Sequence, residues 1–366
     1  MKSKLRSLTV IAIIFSLFFV ILPSVSAKTR QSYLVDFLYH NYNENRRFGN
    51  NFEDTFYALE IINHYNLYSI PVLFGTEVKI DKPTFIDNLK TDLEELFEDN
   101  GVNLYVLFYI LSCLNILNGL ESLDSNIRHK INEYVNQTVQ PSGGFSITNS
   151  SKVANLISTF MAYKVYGLLG EPIINETTHI NWILSCNNTD GGYGANQTLP
   201  STISTTYYAT YLIYEFSSIL VNESATLNYL TSFYCSDSYD KVNYGGYFPN
   251  QVSDNTLLSS TYYCVKSIDL IDNSKLHPDS TTNWILGHQN FQDGGFIENP
   301  SAQGQESSSI AASYYAFKSL QILNALSYLD QDVFMVEFNY TILIIVLAII
   351  GIIAVVIAFI WKKRKI

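Results

Sequence analysis

A unit of about fifty residues repeats along this chain, and that period limits the possible folds more than any composition figure does. The clearest copy runs Asn283-Trp284-Ile285-Leu286, then Gln292-Asp293-Gly294-Gly295-Phe296, then Ser313-Tyr314-Tyr315-Ala316. Asn181-Trp182-Ile183-Leu184, Asp190-Gly191-Gly192-Tyr193 and Thr206-Tyr207-Tyr208-Ala209 repeat it in the same order. Gly143-Gly144-Phe145 and Gly245-Gly246-Tyr247 add two more glycine pairs. A Thr or Ser followed by two large residues and a small one also occurs at Thr55-Phe56-Tyr57-Ala58, Thr159-Phe160-Met161-Ala162 and Thr261-Tyr262-Tyr263-Cys264, with a degenerate copy at Leu107-Phe108-Tyr109-Ile110. The second large residue falls at 57, 109, 161, 208, 263 and 315, so the gaps are 52, 52, 47, 55 and 52.

Each unit holds two apolar segments of helical length and spacing. The first begins near Tyr33, Phe85, Ile127, Ile174, Ala225 and His277; the second near Asn51, Asn103, Lys152, Thr202, Asn255 and Ser307. The paired glycines suit a sharp reversal between the two, because glycine takes positive φ at little cost. The expectation is all-α: six helix pairs, with the more aromatic second helix of each pair inside. Val72–Lys82 forms a longer link but no domain boundary, because the repeat continues across it.

The Asp-Gly-Gly-aromatic element, a loop, and Thr-Tyr-Tyr-Ala opening a helix resemble the repeat of protein prenyltransferase β subunits and squalene/terpene cyclases. The resemblance covers about Gln31 to Ser327 and is strongest in the last four units. It implies an (α/α)6 toroid, six inner helices ringed by six outer ones, with a funnel at the middle. It also implies chemistry that can be checked. The zinc slots of the prenyltransferases fall here at Leu257, Ser259 and Ala312, none of which ligates zinc; the frame one unit earlier gives Thr202, Ser204 and Ser260. The Asp-X-Asp-Asp run of the cyclases is absent, and so is the Gly-Cys-Gly-Glu-Gln element of thioester toroids. No cofactor and no metal site is expected.

The two ends carry a different signal. Lys2, Lys4 and Arg6 precede the apolar run Leu8–Leu22, and Val25-Ser26-Ala27 offers small residues for cleavage: the pattern of a secretory leader over 1–27. An uncleaved anchor is the alternative. Residues 28–337 form the toroid ectodomain. Thr341–Trp361 is apolar over 21 residues, long enough to cross a bilayer, and Lys362-Lys363-Arg364-Lys365 comes next in the tail 362–366. Positive charge marks the cytoplasmic side. The expected topology is single-pass, with the ectodomain outside the cell membrane and the lipid bilayer as partner.

Charge fits that division. With the leader and tail set aside, 15 basic residues face 33 acidic ones, a net of −18. Such a surface repels nucleic acid. Asn-X-Ser/Thr acceptors occur at Asn136, Asn149, Asn175, Asn187, Asn196 and Asn222, with a seventh at Asn339 close to the bilayer. In an oxidising compartment cysteines pair. Cys186 and Cys235 end outer helices of adjacent units and are the preferred pair; Cys113 and Cys264 read as small buried hydrophobes.

Candidate ligand contacts come from the repeat. Tyr57, Tyr208, Tyr263 and Tyr315 hold the second aromatic position, and Lys164, Lys266 and Lys318 recur two residues after the small residue of the motif. Neighbours in an aromatic pair lie about 100° apart on a helix, so one is expected to pack between helices and the other to face the funnel. Asp254 and Glu306 both precede the motif Thr/Ser by seven residues, and Glu53 and Asp54 lie near the same end. Paired carboxylates can hydrolyse glycosides; they can also cap helices. Two functions stay open. One is a non-catalytic, cell-surface toroid binding a small-molecule, glycan or protein ligand through its funnel or rim. The other is a divergent toroid enzyme of the prenyltransferase or cyclase type, or a glycan-active one using the funnel carboxylates.

Overall fold

The computed structural model describes residues 24–72, 75–299 and 307–337. Leu8–Leu22, Glu306, Asn339, Thr341–Trp361 and the basic tail lie outside the described residues. Among the described residues there are twelve α-helices, and none is long and apolar enough to cross a membrane. The chain divides into two compact units: Gln31–Leu329, and the terminal segments up to Arg30 and from Asp330 onward.

The terminal unit contains a two-stranded antiparallel ribbon, β1 (Ser24–Thr29) on β6 (Asp332–Glu337). Its register runs from Ser24 opposite Glu337 to Thr29 opposite Asp332.

The central unit is the repeat. Six inner helices, α2 (Phe52–His64), α4 (Leu104–Ile116), α6 (Leu156–Leu169), α8 (Ile203–Glu215), α10 (Leu258–Asp272) and α12 (Ile310–Ile322), pack each on the next, and α12 returns to α2 to close a ring. The outer helices are α1 (Arg30–His40), α3 (Lys82–Glu98), α5 (Ser125–Gln137), α7 (Glu176–Ser185), α9 (Glu223–Thr231) and α11 (Pro278–Gly287). Outer helices bury one stripe, as Ile127, Ile131 and Val135 do on α5; inner helices bury most of their surface. That difference in pattern is what separates a helix with one wet face from one enclosed on all sides. The link between units one and two is a hairpin, β2 (Ser69–Val72) on β3 (Gly75–Val78), and a short pair β4 (Tyr193–Gly194) on β5 (Ser201–Thr202) sits in unit four.

The inner helices start where their caps dictate. Asn51, Asn103, Asn155, Thr202 and Ser309 each accept the N–H of the residue three further on. Such caps satisfy an otherwise orphaned donor. Leu257 cannot do this for α10, and Glu298 from the next unit replaces it, accepting both the N–H and the hydroxyl of Ser259.

Two devices fix the turns, one to the inner helix of the same unit and one to the outer helix of the next. The motif Thr or Ser is fully buried and accepts the N–H of the aromatic residue of the preceding turn: Phe48 to Thr55 at 3.2 Å, and Phe145 to Thr159, Tyr193 to Thr206, Tyr247 to Thr261 and Phe296 to Ser313 at 3.0 Å. The first glycine of each pair has φ of +98° (Gly143), +88° (Gly191), +100° (Gly245) or +96° (Gly294). Each lies hard against the backbone of the following outer helix: Thr178, Ala225, Ser280 and, across the ring closure, Tyr33. A Cβ there would stand 2.1–2.7 Å from a carbonyl oxygen.

All four cysteines are buried free thiols, so the expected Cys186–Cys235 bridge is absent from the structure.

This packing has measurable consequences. Gly245→Ala should destabilise by about 2–3 kcal/mol or more, the cost of forcing a side chain into a sparsely populated backbone region. Gly167→Ala, on the exposed side of α6 with open space around it, should gain roughly 0.5–1 kcal/mol; equal effects in denaturant titration would contradict the turn argument. His288 caps α11, with Nδ1 2.8 Å from the Trp284 carbonyl, and burial pushes its pKa down to about 4 from 6.5. The folded state therefore binds fewer protons at this residue than the unfolded state. Its contribution is present above pH 6.5 and is lost as pH falls toward about 4. His288→Gln should flatten unfolding free energy against pH across that window; an unchanged slope would show that other groups carry it.

Candidate functional site

The inner helices place the same positions at the same height around one axis. The first aromatic of each motif forms a wheel: Phe56–Phe108 6.0 Å, Phe108–Phe160 5.8 Å, Phe160–Tyr207 6.2 Å, Tyr207–Tyr262 5.9 Å, Tyr262–Tyr314 6.0 Å and Tyr314–Phe56 5.9 Å between ring centroids. The second aromatic forms another: Tyr208–Tyr263 6.0 Å, Tyr263–Tyr315 5.7 Å, Tyr315–Tyr57 5.7 Å and Tyr57–Tyr109 6.1 Å, with Met161 in the remaining place. Tyr57 stacks on Tyr314 at 4.0 Å and joins the two. The expected division, one partner between helices and one in the funnel, does not hold: both members meet their counterparts in the lumen.

A cavity of about 280 Å3 lies inside the wheels. Tyr57, Tyr208, Tyr263, Tyr315, Lys164, Lys266 and Lys318 all line it. Glu60 and Tyr211 line it too and were not singled out from sequence, although they occupy the lysines' own register, two residues after Ala58 and Ala209. The layer one turn C-terminal to the wheels thus carries three ammonium groups, a carboxylate and a phenol.

The three lysines are held differently. Lys318 pairs with Glu60 at 3.2 Å across the ring closure, and Lys266 reaches Asp269 at 3.5 Å. Lys164 donates to the Tyr211 hydroxyl at 3.0 Å, and burial lowers its pKa from 10.5. The phenols of Tyr57, Tyr208, Tyr263 and Tyr314 are pushed well above 10.0, mainly by burial, and stay neutral.

The other side of the wheels is tied by Glu53. Its carboxylate accepts hydroxyls from Tyr57 and Tyr109, both at 2.7 Å, and from Tyr105. From Tyr57 the chain of hydroxyls passes to Tyr315 and Tyr263, each step 3.3 Å. Asp54 is half-buried, and burial beside Glu53 raises its carboxyl pKa.

The remaining sequence candidates lie elsewhere. Asp254 is exposed, and among the described residues only its main-chain oxygen is engaged, by Asn243; Glu306 is outside the described residues. Among the described residues no three His, Cys, Asp or Glu side chains converge as a metal would require. Asn136, Asn149, Asn175 and Asn222 are exposed. Asn187 and Asn196 are half-buried, and the Asn187 amide donates to the Gly191 and Gly192 carbonyls.

Comparison with known proteins comes to the same architecture. The family model for the prenyltransferase alpha-alpha toroid domain matches residues 82–177, 168–247 and 239–339. The structure is similar to Candida albicans protein geranylgeranyltransferase-I complexed with GGPP, at 16% identity and a TM-score of 0.55, covering 82% of this chain and 86% of that one. It is also similar to the apo type II terpene cyclase MstE from Scytonema, at 10% identity and a TM-score of 0.50, covering 82% and 97%. No curated protein sequence matches.

Because both wheels pack in the lumen, Tyr262→Ala should cost about 3–5 kcal/mol, as other truncations of buried aromatics do, and Tyr263→Ala, at a half-buried position, should destabilise as well but by less. Denaturant unfolding of the two variants checks this. A neutral Tyr263→Ala would mean that the second wheel only lines the cavity.

Proposed function

Since the chain belongs to the prenyltransferase α/α toroid family, we propose that it keeps the toroid's axial cavity as a binding site and has given up the family's chemistry. The ligand is a small anion, a carboxylate or phosphate group, received by the lysine layer with the aromatic wheels behind it. The observation that carries this reading is the convergence of Lys164, Lys266 and Lys318 on one cavity. Lysine is a compact point charge suited to phosphate and carboxylate. Lys164 is the key group: it sits partly buried against a hydroxyl, an arrangement that disfavours its charge until an anion arrives.

The volume sets the size. At about 280 Å3 the cavity lies at the small end of the roughly 300–1,000 Å3 of ligand sites, a size that suits a head group or a small acid. The catalytic slots support a binding role: Leu257 and Ala312 carry no ligating atom, and Ser259 is committed to Glu298. The apolar Thr341–Trp361 and its basic tail anchor the toroid to a membrane, with 28–337 on the outer side where the Asn-X-Ser/Thr sites can be modified.

Titration calorimetry of the detergent-solubilised full chain with inorganic phosphate, diphosphate and short dicarboxylates tests the reading. Lys164→Met should weaken binding roughly tenfold or more, the worth of a charge-assisted hydrogen bond. The same variant should leave thermal stability unchanged or raised, because it removes a partly buried charge. Binding stabilises the charged ammonium and so draws in a proton. Affinity should therefore fall as pH rises through the lowered Lys164 value, below 10.5. Binding of none of these anions, or binding indifferent to Lys164→Met, would end the proposal.

A further inference from the structure

Glu53 gives the second wheel a fixed hydrogen-bond polarity. A phenol hydroxyl carries one proton to donate and can also accept. Tyr57 and Tyr109 each donate theirs to the same Glu53 oxygen, at 2.7 Å. In its 3.3 Å contact with Tyr315, Tyr57 therefore accepts and Tyr315 donates. Tyr315 in turn accepts from Tyr263, also at 3.3 Å. All these protons run toward Glu53. The Tyr57 and Tyr109 oxygens lie 3.5 Å apart with both protons already given to Glu53, so lone pairs face each other there. The tier offers acceptors and no donor.

The rings lean inward. Neighbouring centroids are 5.7–6.1 Å apart, the corresponding oxygens only 3.3–3.5 Å. Adjacent oxygens at that spacing can share one donor nitrogen at ordinary hydrogen-bond length, about 2.7–3.2 Å. Tyr57 and Tyr109 are each 5% exposed, so aromatic rings rather than solvent surround these oxygens. Among the described residues no basic side chain pairs with Glu53. Acceptors backed by such a carboxylate and walled by aromatic faces suit a cation that carries N–H groups.

The cavity that borders Tyr57, Tyr109, Tyr263 and Tyr315 also borders Lys164, Lys266 and Lys318. The lysines follow second-wheel positions 161, 263 and 315 by three residues, about 4.5 Å of helical rise. Side chains on a helix tilt toward its N-terminus, which brings the ammonium groups toward the wheel.

We infer that the second wheel holds a primary ammonium group, and that the ligand of the cavity is a small zwitterion with an ammonium and a carboxylate or phosphate about one helical turn apart. The inference rests on the anion site proposed for the lysine layer and adds a second end to its ligand. The anion meets the lysines, and the ammonium donates to the phenol oxygens that Glu53 has turned into acceptors.

Titration calorimetry of the detergent-solubilised full chain tests this with matched pairs: 4-aminobutanoate against butanoate, and 3-aminopropyl phosphate against propyl phosphate. In the pair whose anion the lysines accept, the amine should tighten binding roughly tenfold or more, as hydrogen bonds to a charged group do. Tyr315→Phe and Tyr109→Phe keep the rings and remove the oxygens. Each should erase that gain and leave binding of the amine-free acid as before, with thermal unfolding reporting that the variant is folded. Equal binding within each pair overturns the ammonium site and leaves the anion site standing. So does an amine gain that survives both variants. Binding by none of the four compounds ends both readings. The unsubstituted chain alone decides between these outcomes if a phenylalanine variant fails to fold, because the matched pairs need no substitution.

Discussion

The ring depends on how closely two backbones can approach. At four turns a glycine with φ between +88° and +100° lets the carbonyl of the following outer helix come within van der Waals reach of its Cα. No other residue takes that position without losing either the conformation or the contact. Around this contact the rest is local hydrogen bonding. The next residue but one, a fully buried aromatic, is held by the motif hydroxyl, and on the other side Thr226 and Thr281 donate to the Gly191 and Gly245 carbonyls at 2.8 Å. Each turn is thus fixed to its own inner helix by one hydroxyl. Two of the four are fixed to the next outer helix by another, while at Gly144 the His179 ring takes that part by accepting the N–H. The wheels inherit their regularity from this. Their centroid spacings stay between 5.7 and 6.2 Å although the units differ in length by several residues.

Much of this was legible. Twelve helices follow from the period and the apolar spacing, and the caps at Asn51, Asn103 and Thr202 follow from residue type, whereas the sixth inner helix is capped by Ser309, two residues beyond the expected Ser307. The lysine register was visible because lysine stands out in an apolar helix. Glu60 and Tyr211 share that register but escaped notice, since neither repeats from unit to unit. The role of the motif Thr was hidden for another reason: sequence shows that a hydroxyl recurs, not which distant N–H it meets. Glu53 is similar. Its partners Tyr105 and Tyr109 lie 52 and 56 residues away and come within reach only when α2 and α4 are neighbours.

The aromatic pairs are the instructive miss. A step of 100° separates two directions at the helix axis. A phenol, however, extends far enough that two side chains straddling the inward direction both reach the lumen. The helical-wheel argument treats side chains as directions and ignores their length, so it fails where the residues are largest. The outcome matters for the site, because a funnel lined by two tiers of rings is narrower than one lined by a single tier. It also leaves the polar groups in two separate layers, Glu53 and its phenols on one side and the lysines on the other.

Ring closure has a kinetic meaning of its own. The last seam joins Gly294 to Tyr33 and Lys318 to Glu60, contacts formed between the first unit and the sixth. An open stack of repeats can grow from either end and leaves two end units to be protected from water. A closed ring has no ends, but it has nothing to close upon until its final unit exists. During synthesis the apolar flank of α2 that will receive α12 stays uncovered while some 250 further residues are added (57 to 315 for the paired tyrosines, 258 positions). Such contacts of large sequence separation raise the contact order, which slows folding. The seam between the first and sixth units is thus the part of the ring that cannot form until the last unit exists.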